Sequence, residues 1–226
     1  MKVFVVMPAY NERGRIGAVV RGLLPRVDRV IVVDDGSTDG TADEARAAGA
    51  DVVAHVLNRG QGAALKTGTL LAADEGADVI VHFDADGQHD PDALPALLAP
   101  FELGSADVVF GSRFLGLRSD GMPFSRRLLL GAARQFSSLV LGIPRSVTDP
   151  QSGVRAMSAE AARGIDFTQD RMAHCSEILR LVSRSGLRSV EVPVRVIYTA
   201  ETLAKGQKAA DAVRIVWQLL LGAFQR

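Results

Sequence analysis

The chain has 226 residues, 47% of them apolar and 23% charged, an ordinary globular balance with material for one large domain. Lys plus Arg and Asp plus Glu both number 26, so the formal net charge is zero and bulk electrostatic binding to nucleic acid is not expected. The single cysteine, Cys175, excludes an internal disulfide and reads as a small buried hydrophobe.

The first apolar run, KVFVVM at 2–7, reads as a buried strand. Pro8-Ala9-Tyr10-Asn11-Glu12 follows as a loop, and a helix runs to about Leu24. A second strand, Val30–Val33, ends in the polar turn Asp34-Asp35-Gly36-Ser37-Thr38-Asp39-Gly40-Thr41. Ser37, Thr38 or Asp39 can cap the helix carrying Ala42–Ala48. Asp51–Val56 is a third strand, and Asn58–Gly62 leads into a helix over Ala63–Ala73. Strands alternating with helices argue for a parallel sheet covered on both faces. Continuous rather than alternating apolar strands fit that burial.

The fourth strand, VIVHF, ends on Asp84-Ala85-Asp86-Gly87-Gln88. Side chains two apart on an extended segment point the same way. Asp84 and Asp86 can therefore converge just past a strand's carboxyl end, where open α/β sheets hold their ligands. Two carboxylates and the Gln88 amide oxygen make an all-oxygen donor set suited to Mg²⁺ or Mn²⁺. Asp-x-Asp-Gly is equally the composition of a turn. Three strands in succession end in acidic or polar loops, at Tyr10–Glu12, Asp34–Asp39 and Asp84–Gln88, which a parallel sheet places on one edge.

A helix is expected over Asp92–Phe101 and a strand over Asp107–Phe110, running into Gly111-Ser112-Arg113-Phe114. Leu115–Pro123 is a glycine-rich loop, Phe124–Leu141 a helix opening with Ser125-Arg126-Arg127, and Thr148–Gly153 a second polar loop. Val154–Met157 reads as a short strand, His174–Ser185 as a helix and Ser189–Ile197 as the last strand. Ala209–Phe224 has an apolar stripe of Val213, Val216, Trp217, Leu220 and Phe224 at helical spacing. That segment is too short to span a bilayer and reads as a core-packed, interfacial or dimer-contact helix. No run reaches the length of a membrane span, and the start, MKVFVVMPAY, lacks the features of a signal peptide. The expectation is a cytoplasmic protein of one domain, with a second half at 111–200 built onto a nucleotide-binding first half at 1–110, and the amphipathic helix at 201–226.

Six blocks stand in a telling order: MPAYNE at 7–12, VVDDGSTDGT at 32–41, NRGQGAALKTG at 58–68, DADGQ at 84–88, GSRF at 111–114 and TDPQSGVR at 148–155. Together they resemble family 2 glycosyltransferases, above all the polyprenyl-phosphate (dolichyl-phosphate) mannosyl- and glucosyltransferases. The resemblance covers about residues 1–195 and implies the GT-A fold, an α/β, Rossmann-like, mostly parallel sheet flanked by helices. It implies a base and ribose pocket at Pro8, Ala9, Tyr10 and Glu12, with Asp34 or Asp35 on the base. Asp84 and Ala85 would face the nucleotide sugar. Asp84, Asp86 and Gln88 would hold the metal. Arg113 and Arg127 match positions that receive the acceptor's phosphate, with Asp149 close by. Asp86, Arg113 and Arg127 are thus the expected catalytic set.

The chemistry fits those roles. A departing nucleoside diphosphate gathers negative charge, which a cation neutralises as a Lewis acid. A hydroxyl acceptor needs a general base, whereas a phosphate acceptor is already an anion and needs only positioning. Arginine suits it, with a planar, always-charged fork. Gly131 stands where relatives of this kind carry a small polar residue, and Lys205-Gly206-Gln207-Lys208 resembles their basic segment after the last strand. The implied acceptor is a polyprenyl phosphate, with peripheral contact at the inner face of the membrane through the last helix and Leu115–Leu130. A soluble acceptor, or a non-catalytic nucleotide-sugar-binding protein, keeps the same scaffold. A nucleotidyltransferase would need a glycine-rich basic loop after the first strand, and a dehydrogenase a G-x-G-x-x-G there; MPAYNERG is neither. Glu177 is a further helix position of interest, while His89 and His174 read as surface or supporting groups.

Overall fold

Val3–Ala9 (β1) is buried along its whole length, because it lies mid-sheet with helices on both faces. The computed structural model describes residues 1–116, 130–131, 134–135, 137–139 and 142–197. The further strands are β2 (Arg29–Asp34), β3 (Asp51–Ala54), β4 (Val79–His82), β5 (Val108–Ser112), β6 (Arg155–Ser158) and β7 (Ser189–Pro193). The helices are α1 (Ile16–Leu23), α2 (Thr41–Ala47), α3 (Gln61–Asp74), α4 (Leu94–Glu102), α5 (Ala159–Gly164) and α6 (His174–Ser185). Residues 130–131, 134–135 and 137–139 are also helical.

The seven strands form one sheet in the order β3-β2-β1-β4-β6-β5-β7. Every neighbouring pair is parallel except those made by β6, which runs antiparallel to β4 and β5. Alternation along each strand splits the core in two. Phe4, Val6, Ile31, Val33, Ile80, Val108 and Met157 join residues of α3, α5 and α6 on one face. Val3, Val5, Met7, Val32, Val81 and Val109 join residues of α1 and α4 on the other.

This topology positions the site. The carboxyl ends of β2, β1, β4, β5 and β7 share one edge. Because β6 runs backwards, the loop that enters it, 148–154, reaches that same edge. One reversed strand therefore brings the second polar block beside the first three.

Several boundaries differ from the sequence reading. The third strand stops at Ala54 rather than Val56, because His55 turns inward to Asp35 and leaves Val56 and Leu57 exposed. The last strand stops at Pro193, beyond which the Val194 N–H makes a final bond to the Ser112 carbonyl, at the end of β5, at 2.9 Å. The chain then bends so that Val196 pairs with His89, and the Ile197 N–H donates to the Gln88 carbonyl at 2.8 Å. α5 was not anticipated; it is six residues long, with the Ser158 hydroxyl accepting from the Ala161 N–H at its start. Gly40, not a side chain, occupies the N-cap of α2, although Asp39 Oδ1 accepts from the Thr41 N–H one step in. Most of the helix expected over Phe124–Leu141, the loop Leu117–Pro123, and everything from Tyr198 on, including the Lys205–Lys208 segment and the last helix, lie outside the described residues.

Candidate active site

The first acidic loop is laced to its neighbour. Asn11 adopts a left-handed backbone, φ 55°, which asparagine tolerates better than most residues. Its Oδ1 accepts from the Thr38 N–H at 3.1 Å, and its own N–H donates to Ser37 Oγ at 2.9 Å. The Glu12 N–H donates to Thr41 Oγ1, and the Gly14 and Gly17 N–H groups donate to the Glu44 carboxylate. Pro8 and Ala9 end β1, and Tyr10 stands exposed on the rim above them. Glu12 pairs with Arg15 at 2.7 Å.

Asp34 and Asp35, at the end of β2, are both buried. Asp34 Oδ1 accepts from the Ser37 N–H at 3.2 Å. Asp35 accepts from the Arg59 N–H at 2.9 Å, the Gly60 N–H at 2.7 Å and His55 Nδ1 at 2.8 Å. A carboxylate only accepts, so His55 carries its proton on Nδ1, and Nε2 faces the Thr67 hydroxyl at 3.0 Å. Asp35 thus fastens the loop 55–60 to the sheet edge.

Asp84 and Asp86 follow β4, with Ala85 buried between them. Asp84 is held from two sides. Gln61 Nε2 donates to its Oδ1 at 2.9 Å, and His89 Nε2 lies 3.5 Å from its Oδ2. A Cβ at Gly153 would run into the Asp84 carboxylate, so the 148–154 loop packs directly on it. Burial opposes ionisation of Asp84, but the His89 hydrogen bond and charge, with the charges of Arg155 and His174, outweigh it and hold the carboxyl below its ordinary value. Asp86 goes the other way. Burial and the neighbouring charge of Asp84 raise it, offset only in part by Gln88. The Gln88 N–H donates to Asp86 Oδ1 at 2.9 Å, and its side-chain amide donates to Oδ2 at 2.5 Å.

This donor set fits a hard divalent cation. Two crowded carboxylates, one pushed up by the other, are what a cation relieves. Among the described residues no group of three or more His, Cys, Asp or Glu could hold a metal. Mg²⁺-type sites commonly take one or two carboxylates and complete the shell with substrate phosphates and water.

Arg113, just past β5, is gripped by Asp149. Asp149 accepts from the Arg113 N–H at 3.1 Å, Nε at 2.6 Å and Nη2 at 2.6 Å. Both side chains are nearly sealed, at 9% and 1% exposed. Asp149, expected close to the arginines of the acceptor site, sits directly on Arg113. Arg127 lies outside the described residues, so Pro8, Ala9, Tyr10, Glu12, Asp34, Asp35, Asp84, Ala85, Asp86, Gln88, Arg113 and Asp149 are the expected residues whose placement is known. All come from strand ends or loops on one edge.

Gln61 is a supporting residue that nothing in the NRGQG block marks out. His89 and His174 are buried, in the supporting rather than the surface position. Glu177 accepts from the Thr168 and Gln169 N–H groups and the Thr168 hydroxyl, pinning the loop before α6. The Asp170 carbonyl of that loop accepts from the Gly62 and Ala63 N–H groups at the start of α3. Behind Asp84, Arg155 Nη2 lies 3.4 Å from His174 Nε2 and 3.3 Å from Cys175 Sγ.

A parallel sheet edge with an Asp-x-Asp pair beside an anchored arginine is the layout of a GT-A glycosyltransferase. The sequence profile of "Glycosyl transferase family 2" matches residues 4–164, and the chain belongs to that family. It is 33% identical over 241 residues, 97% of this chain and 95% of the relative, to a UDP-N-acetylglucosamine–dolichyl-phosphate N-acetylglucosaminyltransferase of Methanococcus voltae. It is 35% identical to the undecaprenyl-phosphate mannosyltransferase of Micrococcus luteus, over 86% of this chain and 83% of that one. Among solved structures it resembles glucosyl-3-phosphoglycerate synthase from Mycobacterium tuberculosis in complex with uridine-diphosphate, with a TM-score of 0.77 and 25% identity over 97% of this chain and 77% of the other.

Proposed function

We propose that this glycosyltransferase moves a hexose from a nucleotide sugar to a polyprenyl phosphate, with inversion at the anomeric carbon and dependence on a divalent cation. The observation that carries this reading is the meeting, on one sheet edge, of the Asp84–Asp86 pair and the Arg113–Asp149 pair. The names of the relatives from Methanococcus voltae and Micrococcus luteus support the lipid-phosphate acceptor.

The base and ribose lie against Pro8, Ala9, Tyr10 and Glu12, with Asp34 and Asp35 behind them. Asp84 and Asp86, with Gln88, hold Mg²⁺ or Mn²⁺, which when bound neutralises charge on the leaving diphosphate. Gln61 and His89 keep Asp84 turned to that point. Asp149 fixes the Arg113 fork, and Arg113 with Arg127 orients the acceptor phosphate for attack. That oxygen is already anionic, so no residue here is assigned as general base. Among the described residues no helix is long and apolar enough to cross a membrane. Contact with the lipid surface is assigned to the last helix and the Leu115–Leu130 region.

The test is a transfer assay with UDP-glucose, UDP-N-acetylglucosamine and GDP-mannose against undecaprenyl phosphate, with Mn²⁺, Mg²⁺ or chelator. One donor should react, chelator should abolish transfer, and Asp86→Asn should lower kcat by about 10²-fold or more, the size of a lost electrostatic contribution to the transition state. Transfer only to a soluble phosphate such as phosphoglycerate would replace the acceptor. Failure of folded protein to bind any nucleotide by calorimetry would overturn the transferase reading.

A further inference from the structure

Glu191 is a glutamate in the middle of a strand of valines, SVEVP, where a charged residue is a poor fit. Val190 and Val192 pack against the core on one face, so Glu191 points to the other. Its carboxylate is engaged by a single two-residue segment. The Thr148 N–H donates to Oε1 at 3.0 Å and Oε2 at 2.8 Å, the Thr148 hydroxyl to Oε2 at 3.0 Å, and the Asp149 N–H to Oε1 at 3.1 Å.

The direction of these bonds follows from chemistry. A carboxylate only accepts, so the Thr148 hydroxyl proton goes to Glu191. Ser112 Oγ lies 2.6 Å from Thr148 Oγ1, and its proton must therefore point to Thr148. A lone pair on Ser112 is left to accept from the Phe114 N–H at 3.2 Å. A one-way chain runs from the Phe114 N–H through Ser112 and Thr148 to Glu191. Arg113 lies inside it: its neighbours on both sides belong to the chain, and its fork and N–H are held by Asp149, whose own N–H is held by Glu191.

We propose that Glu191 is the positioning residue of the acceptor-phosphate clamp: as the terminal acceptor for two loops, it sets the orientation of Arg113 without touching the substrate. The role for the clamp rests on the reading of Arg113 given above; the link from Glu191 to Arg113 rests on hydrogen-bond geometry alone. Because three donors, the Thr148 N–H, the Thr148 hydroxyl and the Asp149 N–H, converge on its two oxygens, an isosteric amide is not equivalent. In Glu191→Gln one oxygen becomes an NH₂ that faces the Thr148 or Asp149 N–H, donor against donor.

The experiment uses the full chain and three variants, Glu191→Gln, Thr148→Val and Thr148→Ser, with two readouts. Amide hydrogen exchange should quicken at 112–114 and 148–149 in Glu191→Gln and Thr148→Val, while β1, β2 and β4 keep their protection. With undecaprenyl phosphate as acceptor, both variants should raise the acceptor KM about tenfold or more, the size of one charge-assisted hydrogen bond, with donor KM unchanged. Thr148→Ser keeps the hydroxyl and should restore both readouts. Unchanged exchange at Arg113 and Phe114, or donor and acceptor KM rising together, would overturn the proposal. If the wild type does not use undecaprenyl phosphate, the acceptor reading falls, and the exchange arm alone decides whether Glu191 sets Arg113.

Discussion

Arg155 carries its guanidinium inside the molecule, 1% exposed, with Nε making no hydrogen bond. A buried cation is costly unless an anion answers it. Cys175 does so. Burial pushes its thiol up, but the charges and hydrogen bonds of His174 and Arg155 prevail and bring it from an ordinary 9.0 down to about 6. An acid lowered on folding adds stability that is complete above its unfolded value and is lost as pH falls through its folded one. Wild type should therefore gain on Cys175→Ser as pH rises from about 6 to 9, by at most about 1.4 kcal/mol per pH unit, in urea titrations at each pH. A flat difference would mean the thiol stays neutral. Nothing in the sequence marks this: a lone cysteine looks apolar until a buried arginine from β6 is placed on it. Gly153 is a second case. A Cβ there would displace Asp84, so Gly153→Ala should weaken metal-dependent nucleotide binding, read by calorimetry, by about tenfold or more while costing stability on the order of 1–3 kcal/mol. The Asp-x-Asp pair was legible because spacing along one strand sets it. Of its supports, His89 follows in the same loop, while Gln61 opens α3 and Gly153 stands before β6, and no spacing connects those two to the pair.

At the scale of elements, the two loops after β1 and β2 act as one piece. Glu44 on α2 accepts from the Gly14 N–H at 2.6 Å and the Gly17 N–H at 3.0 Å, and these two bonds hold its carboxyl below the ordinary value. α1 has no side-chain cap of its own, so Glu44 supplies the acceptor that its first turn lacks. Glu44→Ala should cost about 1 kcal/mol, discounted for solvent at a half-buried site, and should loosen nucleotide binding through residues 10–14. Lowering pH below the usual carboxylate range should remove the same contribution in the wild type. The helices and strands of the first half were legible because apolar runs and turn residues alternate without interruption. β6 was found as a strand, but its direction was not, since four residues carry no mark of parallel or antiparallel pairing. α5 went unseen because six residues give less than two helical turns of pattern, though Ser158 ahead of it was a readable cap.

Across the whole molecule, the reversed strand is what makes the two halves one body. Met157 on β6, 1% exposed, joins Phe4, Ile80 and Val108 of the first half to Ile178 of the second in one core. Met157→Ala should cost about 2–5 kcal/mol, as a core truncation does. Unfolding should stay a single transition, coincident by far-UV circular dichroism and calorimetry, because the sheet has no seam at residue 110. Two separated transitions would divide the chain into two domains. Fold class was legible from the βα alternation, and the site from six polar blocks in order. What the sequence could not supply was the sheet order, which depends on where β6 inserts.

The start of α3 has one more consequence. A cradle for phosphate is often built from the free N–H groups that open a helix. Here the Gly62 and Ala63 N–H groups point at the Asp170 carbonyl, and glycine at 60 and 62 is what lets that strand of loop come so near. The helix has, in effect, swallowed its own anion substitute. On the proposed function, a diphosphate arriving at this edge would meet carboxylates instead of these amides, and the charge the helix start no longer offers would have to come with a bound cation.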